Sequence, residues 1–340
     1  MNDLTTPRIE PILEVEGLVK HFAGSAAWPW QSAKPIRAVD GISFKLMPGS
    51  TLALVGESGC GKSTTAKLIL RLLEPDSGNV WLDGFSVCQP NKDTLKRLRR
   101  TVQMVFQDPY ASLTPHLRIG AILREPFLVK GVRRRLEIDK HIESVLTTVG
   151  LDSSIAQRFP HELSGGQRQR VGIARAIAGE PRLIVCDEPV SALDVSIRSQ
   201  IINLLLDLQK SRGLSYLFIS HDLDLVAHVS DEVAVMYLGK IVELAPTHLF
   251  FAQPRHPYSQ ALIASSPVAD PKCRTKPAIK GEIMMGIEHG VGCRFRDRCP
   301  LAINICHEAE PDLRVIAGSH IVACHRAGET ASAHQQEETS

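Results

Sequence analysis

Gly56–Ser63 reads GESGCGKS and fits the spacing G-x-x-x-x-G-K-[ST]. Glycines so placed let the chain wrap until its amide N–H groups face a run of phosphates. A helix that follows adds the positive end of its dipole. Lys62 can then reach the β- and γ-phosphates of a nucleoside triphosphate, and the Ser63 hydroxyl can ligate Mg²⁺. On this reading the phosphate-binding segment is Gly56, Glu57, Ser58, Gly59, Cys60, Gly61, Lys62, Ser63 and Thr64. A chance match in 340 residues has odds of roughly one in a hundred, so a glycine turn with no ligand is the weaker explanation.

Leu183–Glu188 (LIVCDE) is an apolar run that ends in two carboxylates. Asp187, at the tip of such a strand, can hold the Mg²⁺ shell. Glu188, next in line, can polarise a water for attack on the γ-phosphate. Leu163–Gln167 (LSGGQ) opens a further helix, and Ser164, Gly165 and Gly166 make a small start that a phosphate can approach closely. A chain with one phosphate loop has no evident use for a second anion-binding helix start.

Five of the eight cysteines (273, 293, 299, 306 and 324) fall in the last 68 residues. Cys293, Cys299, Cys306 and Cys324 are spaced C-x5-C-x6-C-x17-C. Four thiolates suit Zn²⁺ or a [4Fe–4S] cluster, and structural zinc sites usually use tighter C-x2–4-C pairs. The start, MNDLTTPRIEP, has no apolar core behind a basic run, so no secretory signal is expected and a disulfide framework is the weaker reading. Cys60, Cys88, Cys186 and Cys273 carry no ligand role. Arg294, Arg296 and Arg298 alternate with the cysteines, either to balance a cluster's charge or as solvated side chains.

These residues need elements to hold them. Alternation predicts strands over 12–20 and 39–46, with a loop over 23–36 between them. The buried-strand run 51–55 leads into the phosphate loop and a helix over 65–73, and 79–82 reads as a strand after the turn at 75–78. Further on, strands are expected at 102–106, 183–186, 215–219 and 232–236. Helices are expected at 119–149, 167–178, 198–210 and 223–229. Strands alternating with helices predict a mostly parallel α/β sheet. Arg133, Arg134 and Arg135 read as a solvated helix face. Prolines punctuate the chain beyond 251, which sets a boundary near 250, and the polar stretch from Ala327 reads as a disordered tail.

Composition sets outer limits. Apolar residues are 44% and charged residues 22%, as in ordinary globular proteins, which excludes whole-chain disorder. The net charge of +2 excludes a strongly polyanion-seeking protein. The longest stretch without Asp, Glu, Lys or Arg is the 14 residues His256–Ala269, short of the roughly 20 that cross a bilayer.

The motifs GESGCGKST, VFQDPYASLTP, LSGGQRQR, LIVCDEP, SALD and SHDL, in this order over residues 11–326, resemble the nucleotide-binding subunit of an ATP-binding-cassette (ABC) transporter. That resemblance implies a P-loop NTPase fold of the ABC type: a RecA-like core, an antiparallel β subdomain and a helical subdomain. It also implies a head-to-tail dimer, in which each ATP lies between one phosphate loop and the other chain's LSGGQ. Ser164, Gly165, Gly166 and Gln167 would address that second nucleotide. By position, Gln107 matches the Q-loop glutamine that senses Mg²⁺ and water. Ser191, Ala192, Leu193 and Asp194 match the D-loop at the dimer interface. His221 matches the switch histidine on the γ-phosphate. An aromatic near the first strand stacks on adenine in this family, and the candidates here are Phe22 and His21.

PVSALDVSIRSQIINLL, FQDPYASL, RHPYSQALIASSP and GCRFRDRCP are similar to the oligopeptide/dipeptide importer ATPases, whose second ATPase this chain resembles. Four implications follow from that similarity. The first is a division into a nucleotide-binding domain (11–250), a C-terminal extension carrying the four cysteines (251–326) and a tail (327–340). The second is ATP with Mg²⁺, and a [4Fe–4S] cluster on Cys293, Cys299, Cys306 and Cys324, with Zn²⁺ as the alternative. The third is a set of partners: a homologous ATPase, two membrane permease subunits and an extracytoplasmic solute-binding protein, with no nucleic acid. The last is a peripheral place on the cytoplasmic face of the inner membrane. Nickel or another small solute is the alternative cargo. A DNA-associated ABC ATPase fits less well, because only 101 residues, with no heptad run, lie between Ser63 and Gly165.

Overall fold

The structure is a computed structural model that describes residues 10–24, 35–88, 90–265 and 291–327. β1 (Leu13–Phe22) and β2 (Ile36–Leu46) pair antiparallel. β3 (Thr51–Val55) leads into the phosphate loop and α1 (Lys62–Ile69). β4 (Ser77–Leu82) and β5 (Phe85–Ser86) then complete an antiparallel sheet of order β2-β1-β4-β5. Leu13, Val15 and Leu18 of β1 point to its buried face. The register slips between Val15 and Leu18, which keeps all three on that side.

α2 (Lys92–Thr101) runs directly into β6 (Val102–Val105), and the short α3 (Pro109–Ser112) follows. Next come α4 (Ile119–Lys130), α5 (Arg135–Thr148) and α6 (Gly165–Ala178). The single helical stretch expected over 119–149 is therefore two helices. Gly131, at φ 94°, closes α4 by donating to the Leu128 and Phe127 carbonyls, a turn that apolar periodicity does not register. Arg133, Arg134 and Arg135 lie exposed at this corner.

β7 (Leu183–Asp187), α7 (Val195–Arg212), β8 (Ser215–Ser220), α8 (Leu223–Val229) and β9 (Glu232–Tyr237) follow in alternation. β10 (Lys240–Pro246) turns back against β9. Then come α9 (Thr247–Ala252), α10 (Pro257–Ser265), α11 (Asn304–Glu308), β11 (Arg314–Ala317) and β12 (His320–Val322). The second sheet has eight strands in the order β11-β12-β10-β9-β3-β8-β7-β6. Neighbours from β9 to β6 are parallel, and the other three strands add on antiparallel. Every residue of β3, β7 and β8 is buried, as a parallel sheet covered on both faces requires. Val55 lies beside Ser220, and Asp187 beside Ile219. The carboxyl ends of three neighbouring strands therefore converge, where open α/β sheets place their ligands.

Helices α4–α7 cover one face of this sheet, and α1 with the antiparallel sheet covers the other. A third core joins Ala53, Val55, Val233 and Tyr237 to Phe250, Tyr258 and Phe295. The stretch after 250 therefore shares a core with β3 and β9 and supplies two strands to their sheet. Burying each of those aromatics contributes roughly 2–3 kcal/mol. No helix among the described residues is long and apolar enough to cross a membrane. Most of the expected 23–36 loop, Cys273, and the tail from 328 lie outside the described residues.

Candidate active site

The phosphate loop joins the end of β3 to α1, and a cavity of about 1000 Å³ opens over it. Gly61, the residue before α1, has φ 114°, and a Cβ there would stand 2.1 Å from the Ala38 carbonyl oxygen. Only glycine permits both the angle and the approach. Lys62 is 6% exposed, and its Nζ donates to the carbonyls of Gly56 (2.7 Å) and Glu57 (2.9 Å). The loop thus centres its own ammonium over the phosphate position. Cys60 is buried among apolar side chains, and burial pushes its thiol pKa up, so it is a packing residue of the loop.

Ser63 Oγ donates to Asp187 Oδ1 at 3.1 Å. Burial raises the Asp187 pKa, the Ser63 hydrogen bond opposes this, and the charge of Glu188 adds to it. A hydroxyl and a desolvated carboxylate side by side are the hard oxygen donors that Mg²⁺ takes, and a cation there would draw the carboxyl pKa back down. The pair fits the ion.

Glu188 is a non-glycine residue at φ 46°. Its amide donates to the Ile219 carbonyl (2.9 Å), so the strained turn is held by β8. One carboxylate oxygen accepts from Gln107 Nε2 at 2.9 Å, and the other lies 3.1 Å from His221 Nδ1. Three residues from three loops, far apart in sequence, thus meet over the phosphate loop. Phe22 lines the cavity, while His21 turns to Asp40 (3.3 Å), which places Phe22 ahead of His21 against a base.

Ser164, Gly165, Gly166, Gln167 and Asp194 do not line this cavity. Ser164 caps α6: its Oγ accepts from the Gln167 amide (3.3 Å), and Gln167 Oε1 accepts from the Ser164 amide (3.0 Å). Asp194 starts α7 with no side-chain cap. Lower on α6, Arg175 donates to the Ser112 carbonyl (2.7 Å), and Arg168 lies over the Tyr110 ring. The helix that begins at the signature therefore grips the segment following Gln107.

The seven described cysteines are free. Cys293 donates its amide to the Cys306 carbonyl (2.8 Å). Burial raises the pKa of Cys293, and those of Cys299 and Cys324 are pushed up to about 11, with neighbouring thiols of the set adding to each shift. The four thiols therefore gather in one place. They do not meet at ligating geometry: among the described residues no three His, Cys, Asp or Glu side chains are grouped to hold a metal. Sequence reasoning had no partner for the interspersed arginines. Arg294 lines the nucleotide cavity, and the side chains of Arg294 and Arg298 are 8% and 12% exposed. They are not solvated.

A family model for the ABC transporter matches residues 39–191, and one for the oligopeptide/dipeptide transporter C-terminal region matches 242–306. A probable peptide ABC transporter ATP-binding protein of Sinorhizobium fredii is 47% identical, over 96% of this chain and 92% of its own. The oligopeptide transport ATP-binding protein AppF of Bacillus subtilis is 45% identical, over 95% and 99%. Among solved structures, cbiO1 of Clostridium perfringens, part of an ABC transporter complex, superimposes with TM-score 0.61 at 28% identity, over 72% of this chain and 91% of its own. The ATP-binding cassette MJ0796, dimeric and bound to ADP and Pi after hydrolysis, gives TM-score 0.62 at 27% identity, over 69% and 98%. With a phosphate loop, a Mg²⁺-type oxygen pair and a carboxylate set between Gln107 and His221, the chain belongs to the ABC transporter family, as one of its ATP-hydrolysing subunits.

Proposed function

We propose that this ATPase powers uptake of di- or oligopeptides through separate membrane permease subunits. The observation that carries this is the docked C-terminal region, matched to oligopeptide/dipeptide transporters and sharing a core with β3 and β9. Lys62 and the loop amides hold the triphosphate, Ser63 and Asp187 hold Mg²⁺ with Gln107 beside it, and Phe22 stacks on adenine. The ion, when bound, neutralises charge on the phosphates. Glu188 takes the proton of the attacking water, and His221 positions that carboxylate and contacts the γ-phosphate. Ser164, Gly165, Gly166, Gln167 and Asp194 serve the second nucleotide, across the interface with a homologous ATPase. Their absence from this chain's own cavity supports that assignment.

The segment after Gln107, gripped by α6, faces the permeases, and the subunit sits on the cytoplasmic side of the membrane. Residues 11–250 form the engine and 251–326 its extension. Cys293, Cys299, Cys306 and Cys324 are the ligands of a [4Fe–4S] cluster, with zinc second. The proximity of the four thiols to one another supports a shared role.

Reconstitution with the permeases and the solute-binding protein in lipid vesicles tests the cargo. Peptide should stimulate hydrolysis several-fold and accumulate. Stimulation by Ni²⁺ alone would replace peptide with the small-solute reading. Metal analysis of anaerobically purified protein should give about four irons per chain. One zinc and no colour would exchange the cluster for the alternative.

A further inference from the structure

We infer that the cysteine-rich module is built into the ATP site, with Arg298 as a positioning residue for the phosphate loop. Arg298 lies in the short turn Arg296–Arg298, between Cys293 and Cys299. Its Nη1 and Nη2 donate to the two carboxylate oxygens of Glu57, both at 3.1 Å. This is the parallel fork-on-fork contact that fixes orientation as well as distance. Its guanidinium lies 5.9 Å from the Tyr237 ring centroid, and Nη1 reaches the Tyr237 hydroxyl at 3.4 Å.

Glu57 is the second residue of the phosphate loop, and its backbone is held from the same side. The Glu57 amide donates to the hydroxyl of Tyr258 (2.9 Å), a fully buried residue of α10. The Glu57 carbonyl in turn accepts from Lys62 Nζ. A chain of contacts thus runs from the residue beside Cys299, through Glu57, to the lysine that meets the phosphates. Arg294, which lines the cavity, donates to the Asp40 carboxylate, to the Leu238 carbonyl and to Glu310. Asp40 also receives His21, the neighbour of Phe22. Two arginines of one small module therefore brace the nucleotide site, one through Glu57 and the other through Asp40 and Leu238.

A glycine-rich loop loses much conformational freedom when it takes up a phosphate-binding shape. Contacts that hold that shape beforehand raise affinity without touching the ligand. The claim rests on the ATPase assignment and does not depend on what the thiols hold.

The test uses the full-length protein, a fluorescent ATP analogue at equilibrium, and steady-state hydrolysis. Arg298→Met should weaken binding about tenfold and raise KM with kcat within about twofold, and Arg298→Lys should recover part of the loss. Glu57→Gln should weaken binding in the same sense. The double variant should bind no more weakly than Arg298→Met alone, because both changes break one contact. Glu57→Gln changes no residue of the cysteine module and decides the matter if Arg298→Met does not fold. Affinities within twofold of the parent in both single variants, or losses that multiply in the double, overturn the inference. Either result, in a parent that binds nucleotide, leaves the ATPase assignment standing.

Discussion

The catalytic cavity and the C-terminal module use charge in opposite ways. In the cavity, Lys62, Glu188, His221 and Gln107 are held by contacts to loop carbonyls and to one another, on a backbone strained at Glu188. Those contacts can be exchanged for a ligand. Where the module docks, charge is locked. Glu243 of β10 is fully buried and accepts from three groups of the module: the Arg255 amide (2.8 Å), the His256 amide (2.9 Å) and His320 (2.6 Å). His256, also buried, accepts the Tyr258 amide on Nδ1. The difference separates a site whose groups must change partners from a scaffold whose groups must not. It also shows which module residues, Arg294 and Arg298, cross between the two.

Breaking each side in turn should give opposite phenotypes. Lys62→Ala should weaken ATP binding roughly 100–1,000-fold while leaving stability within about 1 kcal/mol, seen by equilibrium binding beside urea unfolding. Glu243→Gln should do the reverse. It removes the charge that answers two amides and His320, and should cost about 3 kcal/mol of stability. Hydrolysis by the folded fraction should stay within twofold.

Acid sharpens the contrast. Burial pushes the His256 pKa down to about 3, well below its ordinary 6.5. Between those values the unfolded chain binds the proton and the folded chain does not, so stability falls as pH falls, by about 1.4 kcal/mol per pH unit at most. This histidine's share is fully present above pH 6.5 and lost progressively toward pH 3. His256→Asn should flatten that part of a pH series of unfolding midpoints. The smallest effect belongs to the signature. As a helix cap alone, Ser164→Ala should cost about 1 kcal/mol of stability. A turnover loss of tenfold or more, without matching loss of nucleotide affinity, would place Ser164 on the partner's ATP.

The phosphate loop and LIVCDE were legible in the sequence because each is local, whereas LSGGQ showed only a small helix start and took its role from resemblance. A few adjacent residues carry the chemistry, and each occurs where a strand or helix turns over. The roles of Gln107 and His221 came only from resemblance, since nothing near either residue in sequence points at Glu188. The break at Gly131 was missed because the apolar spacing of α4 runs on into α5. β10, reading KIVELAP, was missed although its alternation is visible and its partner β9 is one tight turn away; its other neighbour, β12, lies some 70 residues on. The contacts of Arg294 and Arg298 to the nucleotide site were unreadable because Asp40 and Glu57 stand 254 and 241 residues away. Contacts closed over such distances are fixed by the fold and leave no spacing to read.

The central claim is that the carboxylate between Gln107 and His221 is the base of an ATP-hydrolysing site. Glu188→Gln keeps the shape and removes the basicity, so one side-by-side measurement of ATP binding and phosphate release decides it. Nucleotide affinity within threefold of the parent, with hydrolysis slowed 100-fold or more, is the expected result. Hydrolysis at near-parental rate in that variant would contradict it.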